Sequence, residues 1–290
     1  MRIRDLLTKD DCDLTPSEAK IAQVILAEYP TSALGTAAAL AKRAGVSDPT
    51  VIRLVTKLGF DGFPAFQAKL LEEVEAGLRS PLMMMETSRL TAGTRGVAEE
   101  YMQSLLACIE GVANATLPQL YDKAIDVIMP AKGRVLLAGG RFSRFIAGML
   151  GSYLLQFRPD VQTLEALTAE SFDILLDLSS RDVLIVFDYR RYQRDVVRFA
   201  EQAAERGVQI VLFTDQYQSP ISAKAKVTIV ARTDVGSPYD SLAPAVAQIE
   251  ALVAQIVAKE SGSTRRRVKS LEQIRAKNAV TIEDAIDLDA

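Results

Sequence analysis

From Gly133 onward, short apolar runs alternate with helical patterns, and this alternation narrows the fold more than any other feature. The runs are Arg134–Ala138, Val161–Thr163, Val183–Phe187, Val208–Phe213 and Val227–Val230. Between them lie helix-like stretches over Phe142–Gln156, Ala169–Leu178 and Gln193–Arg206. Strands separated by helices form parallel sheets, because a parallel connection needs a crossover long enough to hold a helix. The clearest of the runs, Val183–Phe187, is continuously apolar, as a strand buried on both faces requires. The expectation is a three-layer α-β-α body closed by a long helix from about Leu242 to Ser261.

The N-terminal part reads differently. Thr15-Pro16-Ser17-Glu18 opens a helix: Thr15 suits a cap and Pro16 a first turn. Apolar Ile21, Val24 and Ile25 follow at helical spacing, up to Tyr29-Pro30. Leu40 to Ala44 then ends a short helix, Gly45-Val46-Ser47 makes a tight turn, and a second helix runs from Ser47 to Gly59. The expected polar side of that second helix carries Asp48, Thr50, Arg53 and Lys57, and its apolar side Val51, Leu54, Val55 and Leu58. One packed face and one free face is what a helix entering a major groove needs. Ser47 is expected to cap this helix. Arg53 is the candidate for a guanine contact through its fork. Lys57, Lys42 and Arg43 are candidates for phosphate. A helical hairpin with a solvated charged face fits the same spacing. Between Thr36 and Leu70, Lys42, Arg43, Arg53, Lys57 and Lys69 face only Asp48 and Asp61, a local basic excess in a chain of net charge −3.

Composition removes several classes of function. The chain has no histidine, so Ser-His-Asp and Cys-His catalysis and most zinc sites fall away. No cofactor and no metal is expected. Two cysteines, Cys12 and Cys108, make no disulfide framework. No apolar run reaches the ~18 to 20 residues of a membrane span. The first residues lack the apolar stretch of a secretory signal. The expected location is cytoplasmic, with no membrane partner.

The expected organisation is a helical DNA-binding domain over 1–77, a linker over 78–96, an effector-binding domain over 97–275 and an acidic tail over 276–290. The linker holds Met83-Met84-Met85, which suits a partly ordered segment or packing against a partner chain. Helices are expected from Pro64 to Gly77, Val97 to Ala115 and Leu117 to Met129. The helices over 97–129 and 242–261 are the expected dimer surfaces.

Leu14 to Leu71 resembles the N-terminal domain of RpiR-type transcriptional regulators. The resemblance rests on LTPSE at 14–18, on AGVSDPTVIRL after an alanine-rich helix, and on KLGFDGF at 57–63. The family's Ser-x-x-Thr-x-x-Arg element falls on Ser47, Thr50 and Arg53. The resemblance implies a following sugar-isomerase-type (SIS) domain of flavodoxin-like build that binds a phosphosugar and controls DNA affinity.

Ligands of such sheets sit at the carboxyl ends of strands. Gly139-Gly140-Arg141-Phe142-Ser143 is similar to the SIS G-x-G-x-S loop, with arginine at the middle glycine. Asp188-Tyr189-Arg190-Arg191-Tyr192-Gln193 stands where SIS domains carry S-x-S-G-x-T, and every phosphate-cradle position differs. Thr214-Asp215 and Ser219-Pro220 are similar to the family's third turn. The candidate effector residues are Gly139, Gly140, Arg141, Ser143, Asp188, Tyr189, Arg190, Arg191 and Gln193. In one reading Arg141, Arg190 and Arg191 converge on a phosphate or carboxylate. In the other, Asp188 and the arginines pair and lock the loops. Glu165 and Glu170 are pocket carboxylates or a solvated helix start.

The expected function is a transcriptional regulator, a homodimer or dimer of dimers on double-stranded operator DNA, controlled by an anionic small molecule. The alternatives are a sugar-phosphate isomerase or aminosugar enzyme of the same fold, and a sensor with a closed pocket whose partner is a protein.

Overall fold

The computed structural model describes residues 3–7, 13–27, 33–78, 81–87, 96–259 and 262–280. The chain divides into two compact units, Met1–Arg89 and Leu90–Ala290.

The first unit is helical: α1 (Ile3–Leu7), α2 (Pro16–Ala27), α3 (Ala37–Ala44), α4 (Asp48–Lys57), α5 (Phe63–Leu78) and α6 (Pro81–Thr87). Its core gathers Ile3, Ile21, Ile25, Leu40, Val51, Leu54, Phe66 and Leu70, all essentially inaccessible. Local chemistry sets the helix ends. The Thr15 N–H donates to Glu18 Oε2 at 2.9 Å and the Glu18 N–H to Thr15 Oγ1 at 3.4 Å, a reciprocal cap that starts α2. Thr36 Oγ1 accepts from the Ala39 N–H at 3.1 Å and starts α3. Gly45 ends α3 at φ +65°, a left-handed conformation that glycine adopts without steric cost.

Helix α1 has no counterpart in the sequence reading. It is only five residues long, too short to show a period. Its first N–H donates to Glu73 of α5 at 3.1 Å. Helix α6 lies inside the stretch read as a linker, with Leu82, Met83 and Met85 exposed. Tyr29, Pro30 and Cys12 fall outside the described residues, as do residues 88–95.

The second unit opens with α7 (Val97–Ala115) and α8 (Pro118–Ile128). Then come β1 (Val135–Gly139), α9 (Ser143–Phe157), β2 (Val161–Thr163), α10 (Ala169–Asp173), β3 (Val183–Asp188), α11 (Arg194–Glu205), β4 (Gln209–Asp215), β5 (Val227–Ala231), α12 (Ala243–Ala258) and α13 (Gly262–Lys277). The five strands are all parallel in the order β2-β1-β3-β4-β5. All six residues of β3 are buried, as the continuous apolar run requires. Residues alternate between two cores. Val183, Ile185 and Phe187 face one layer with Ile146, Leu150, Ile249 and Leu252. Leu184 and Val186 face the other with Val196, Phe199 and Ala203.

Three features differ from expectation. Strands β3 and β4 extend one and two residues further, to Asp188 and Asp215, because the ladder continues through polar residues at its carboxyl edge. The helix expected over 169–178 is α10 alone, followed by a 3-10 turn at Ile174–Asp177. The closing helix α12 ends at Ala258, and the basic run after it begins a further helix, α13, so the expected boundary at 275 falls inside a helix. The acidic tail beyond residue 280 lies outside the described residues.

One buried cation organises the entry to the sheet. The Arg158 guanidinium donates to the carbonyls of Ile128, Ala131 (3.0 Å), Gly133 (2.8 Å) and Pro159 (3.1 Å). The end of α8, the turn into β1 and the turn into β2 are thereby tied to one side chain.

Candidate functional site

In the helical unit, the turn between α3 and α4 presents α4 with one face packed and one exposed. Val51, Leu54 and Val55 are buried. Asp48, Pro49, Ile52, Arg53, Thr56 and Lys57 are exposed, as are Lys42 and Arg43 at the end of α3.

Three sequence-based assignments change here. Ser47 stands at the N-cap of α4, but its side chain accepts no backbone N–H. Its Oγ lies 2.9 Å from Thr50 Oγ1 instead. Thr50 is buried rather than turned outward, 7% exposed. It stands one turn before Leu54 and so shares the packed flank. Its hydroxyl also accepts from Arg53 Nη2 at 3.2 Å. Ser47, Thr50 and Arg53 thus form a hydrogen-bonded chain along the first turns, and Arg53 carries it to the surface. Lys57 is the third case. Its Nζ lies 3.0 Å from Glu18 Oε2 and also donates to the Asp13 carbonyl, so it holds α4 to the start of α2. Glu18 sits below the usual carboxylate range, mainly because it accepts the Thr15 N–H, with Lys57 assisting. The sequence reading passed over Ile52 and Thr56. Their spacing from Pro49 and Arg53 was sufficient to find them.

In the second unit, strand order reverses between β1 and β3, and the crevice outside their carboxyl ends is where open α/β sheets receive ligands. Gly139 pairs with Phe187 in register, so the loops after β1 and β3 emerge side by side. A Cβ on Gly139 would lie 2.6 Å from the Arg144 nitrogen, so only glycine fits this close approach. A Cβ on Gly140 would lie 2.8 Å from Gln193 Oε1. Ser143 Oγ donates to the Phe187 carbonyl at 2.6 Å and accepts the Gly140 N–H at 2.8 Å. The Gln193 side-chain oxygen accepts the Arg141 N–H. The Ser143–Phe187 and Arg141–Gln193 bonds join the two loops to each other.

The three arginines do not converge. Arg190 is forked onto Asp240, with Nε 2.8 Å from Oδ2 and Nη2 bonded to Oδ1. Its plane also lies 5.7 Å from the Tyr217 ring centroid. Burial opposes the Arg190 charge, but Asp240 outweighs it and raises the guanidinium above its usual value. Arg141 and Arg191 remain exposed on the adjoining loops. Asp188 pairs with none of the arginines. It is 1% exposed, and its Oδ2 accepts from Ser219 Oγ at 2.5 Å. Asp188 Oδ1 lacks a hydrogen-bond partner among the described residues. Burial pushes Asp188 up to about 7, against the hydrogen bonds from Ser219 and the Gln193 N–H and with help from Asp215 and Asp195. Tyr189 is a core residue whose hydroxyl burial pushes well above its ordinary value.

Asp215 is the hub that the sequence did not single out. Its carboxylate accepts the Arg190 N–H, the Tyr192 hydroxyl at 2.8 Å and the Tyr217 N–H at 2.8 Å. Burial raises it above the usual carboxylate range. Asp240 was also missed. It lies in the loop after β5, a fourth strand end at the same edge, while the sequence reading stopped at three. Glu165 and Glu170 are both exposed, the solvated helix-start alternative. A surface groove lined by Phe172, Gln193, Arg194, Asp195, Arg198 and Gln202 runs along the start of α11 beside this edge.

Comparison with known proteins divides the chain in the same way. Residues 1–77 match the helix-turn-helix domain of the rpiR family, and residues 128–258 match the SIS domain. The chain is 22% identical over 274 residues to the HTH-type transcriptional regulator HexR of Escherichia coli, covering 94% of this chain and 92% of HexR. The sugar isomerase domain of an RpiR transcription factor from Sphaerobacter thermophilus superposes with a TM-score of 0.56 at 24% identity, covering 61% of this chain and 97% of that domain. The NanR protein of Vibrio vulnificus, solved in complex with ManNAc-6P, superposes with a TM-score of 0.51 at 16% identity, covering 94% and 97%. At these identities the two superpositions establish the fold.

Proposed function

The chain belongs to the rpiR family of helix-turn-helix transcriptional regulators with a SIS domain, and from that premise we propose that an anionic metabolite, held at the carboxyl edge of β1 and β3, controls its affinity for operator DNA. The observation that carries the effector reading is the pair of exposed guanidinium groups, Arg141 and Arg191, on loops joined at the topological switch point. Guanidinium forks suit phosphate and carboxylate. The serine and threonine hydroxyls of a phosphate cradle are replaced here, so the anion rests on arginine and on backbone N–H groups. The phosphosugar named for the NanR complex supports a sugar phosphate as the first class to test. On the DNA side, Arg53 reads a guanine, while Lys42, Arg43 and Ser47 stand close enough to the start of α4 to meet phosphate. A homodimer meets a two-fold operator. The effector shifts DNA affinity only in so far as it binds two arrangements of the chain differently.

A second reading has one observation in its favour. The Arg190–Asp240 fork closes part of the same edge, as in a body that takes no small ligand and answers to a protein. A thermal-shift series with hexose 6-phosphates, aminosugar 6-phosphates and dicarboxylates separates the two. An effector adds about 2.7 kcal/mol of apparent stability at 100 times its dissociation constant, and Arg141→Ala with Arg191→Ala removes that gain. A flat response to all three classes favours the closed body. Turnover of the same sugar phosphates by the purified protein would restore the isomerase alternative.

A further inference from the structure

The exposed surface of α4 holds a residue unlike its neighbours. Successive residues turn by about 100° around a helix, so Pro49, Ile52, Arg53 and Thr56 fall within one stripe about 100° wide. That stripe lies opposite Val51, Leu54, Val55 and Leu58, all of which are buried. It is therefore the part of α4 that stands furthest out from its own unit. Two of the polar residues assigned to this surface from sequence are engaged at its margin: Thr50 is buried against Ser47 and Arg53, and Lys57 is tied to Glu18. Pro49 and Thr56 run along the middle of the stripe, and Ile52 and Arg53 form its two edges. Ile52 is 39% exposed, an apolar β-branched side chain beside a guanidinium. A helix surface that met only water would favour a longer polar residue here, since isoleucine has lower helix propensity and keeps apolar area in solvent.

We propose that Ile52 is a base-reading residue, packing on the 5-methyl group of a thymine next to the base pair contacted by Arg53. The proposal rests on the regulator reading above and deepens it by naming a feature of the operator. In the major groove, thymine is the only base that presents a methyl group, and apolar side chains recognise it by contact. Ile52 and Arg53 are adjacent in sequence and flank the crest of the stripe, so their targets are neighbouring base pairs. A charged group at this position would lose hydration on entering the groove without gaining a partner at the methyl. The thymine half of the recognition is then independent of the hydrogen-bonded chain from Ser47 through Thr50 to Arg53.

The test uses the full-length protein and duplexes selected from a random pool by the wild-type chain. Each thymine of the selected site is replaced singly by deoxyuridine, which removes only the methyl group. In the wild type, one thymine per half-site should cost about fourfold in affinity when demethylated, the equivalent of the roughly 0.8 kcal/mol of one buried methylene. In Ile52→Ala the same replacement should leave affinity unchanged, while Ile52→Val should keep most of the effect. The thermal melt of each variant should match the wild type, because the side chain supports no core. If every thymine methyl is dispensable to the wild type, or if the methyl effect survives intact in Ile52→Ala, the proposal is overturned while the regulator reading stands. If no sequence is selected at all, both fall together.

Discussion

Arg190 and Asp240 stand fifty positions apart in the chain and meet as a forked ion pair, with Arg190 Nε 2.8 Å from Asp240 Oδ2. The Arg190 side chain is 6% exposed and that of Asp240 17%. Breaking such a pair from one side leaves a charge without its partner in a poorly hydrated place, which costs about 3–5 kcal/mol in buried cases. The two sides are not equivalent. Burial already pushes Asp240 above the ordinary carboxylate range, so it can neutralise by taking up a proton; a guanidinium cannot shed one. Asp240→Ala is therefore expected to destabilise the second unit more than Arg190→Ala, and the double variant less than Asp240→Ala alone. Urea unfolding of the three variants measures this. Equal, small losses below about 1 kcal/mol would mean that the pair behaves as a solvated surface bridge.

Asp188 gives the second unit a pH dependence of definite sign. Burial holds its carboxyl at about 7 in the folded chain, against an ordinary value of 3.8. A group whose folded value is raised stabilises the fold fully below its unfolded value and loses that contribution as pH rises through its folded value. Asp215 is raised as well and acts in the same direction. The thermal midpoint of the chain should thus fall between about pH 4 and 7, by up to roughly 1.4 kcal/mol of stability per pH unit for a single group. Asp188→Asn keeps an oxygen for Ser219 and removes the ionisation, so its melting curve should be flatter over that range. A slope equal to that of the wild type would show that Asp188 is already ionised there.

The bridge between Lys57 and Glu18 sets an electrostatic competition in the helical unit, between Glu18 and the DNA phosphate proposed for Lys57 from its sequence position. Lys57 is 37% exposed at its side chain and anchored to Glu18 at 3.0 Å. In Glu18→Gln the amide oxygen still serves the Thr15 N–H, but Lys57 is released toward phosphate. Duplex affinity at low salt should rise, and the salt dependence should steepen by about one unit of slope, as for one added phosphate contact. Lys57→Ala should cost no more than about 1 kcal/mol of stability. A slope unchanged in Glu18→Gln would assign Lys57 to the α2–α4 clamp alone.

The proposed role of Arg53 is the sequence-specific part of the DNA reading. Arg53→Ala is expected to lower affinity for a selected duplex at least tenfold, within the ~1–3 kcal/mol that a good bidentate base contact supplies, and to leave the thermal melt unchanged because the side chain is exposed. Retained discrimination between selected and scrambled duplexes would remove Arg53 from the interface.

The central strands were legible because a parallel sheet with helices on both faces writes them as unbroken apolar runs, and Val183–Phe187 is such a run, whereas the edge strand Val161–Thr163 is short and partly polar. The turn at Gly45 was legible because a left-handed residue there calls for glycine. Thr50 was misjudged for a physical reason. It sits at the margin between the packed and open flanks of α4, where a small amphipathic side chain fits either way and only its neighbours decide. The fate of Arg190 was hidden more deeply. The loop sequence shows an arginine beside another arginine, but its partner Asp240 arrives from a different strand end, and no local spacing announces that meeting. Helix α13 was missed because its charges mask any apolar stripe: only Thr264 among its residues is buried.

Arg158 has a consequence of another kind. Its guanidinium serves carbonyl oxygens from three separate stretches of backbone, at Ile128, at Ala131 and Gly133, and at Pro159. A lysine ammonium, compact and without a planar fork, cannot span the same acceptors. The turn that leads into β1, the strand beside the switch point, is thus held by a side chain from outside the sheet, and exchanging Arg158 would loosen the start of that strand without touching a loop at its carboxyl end.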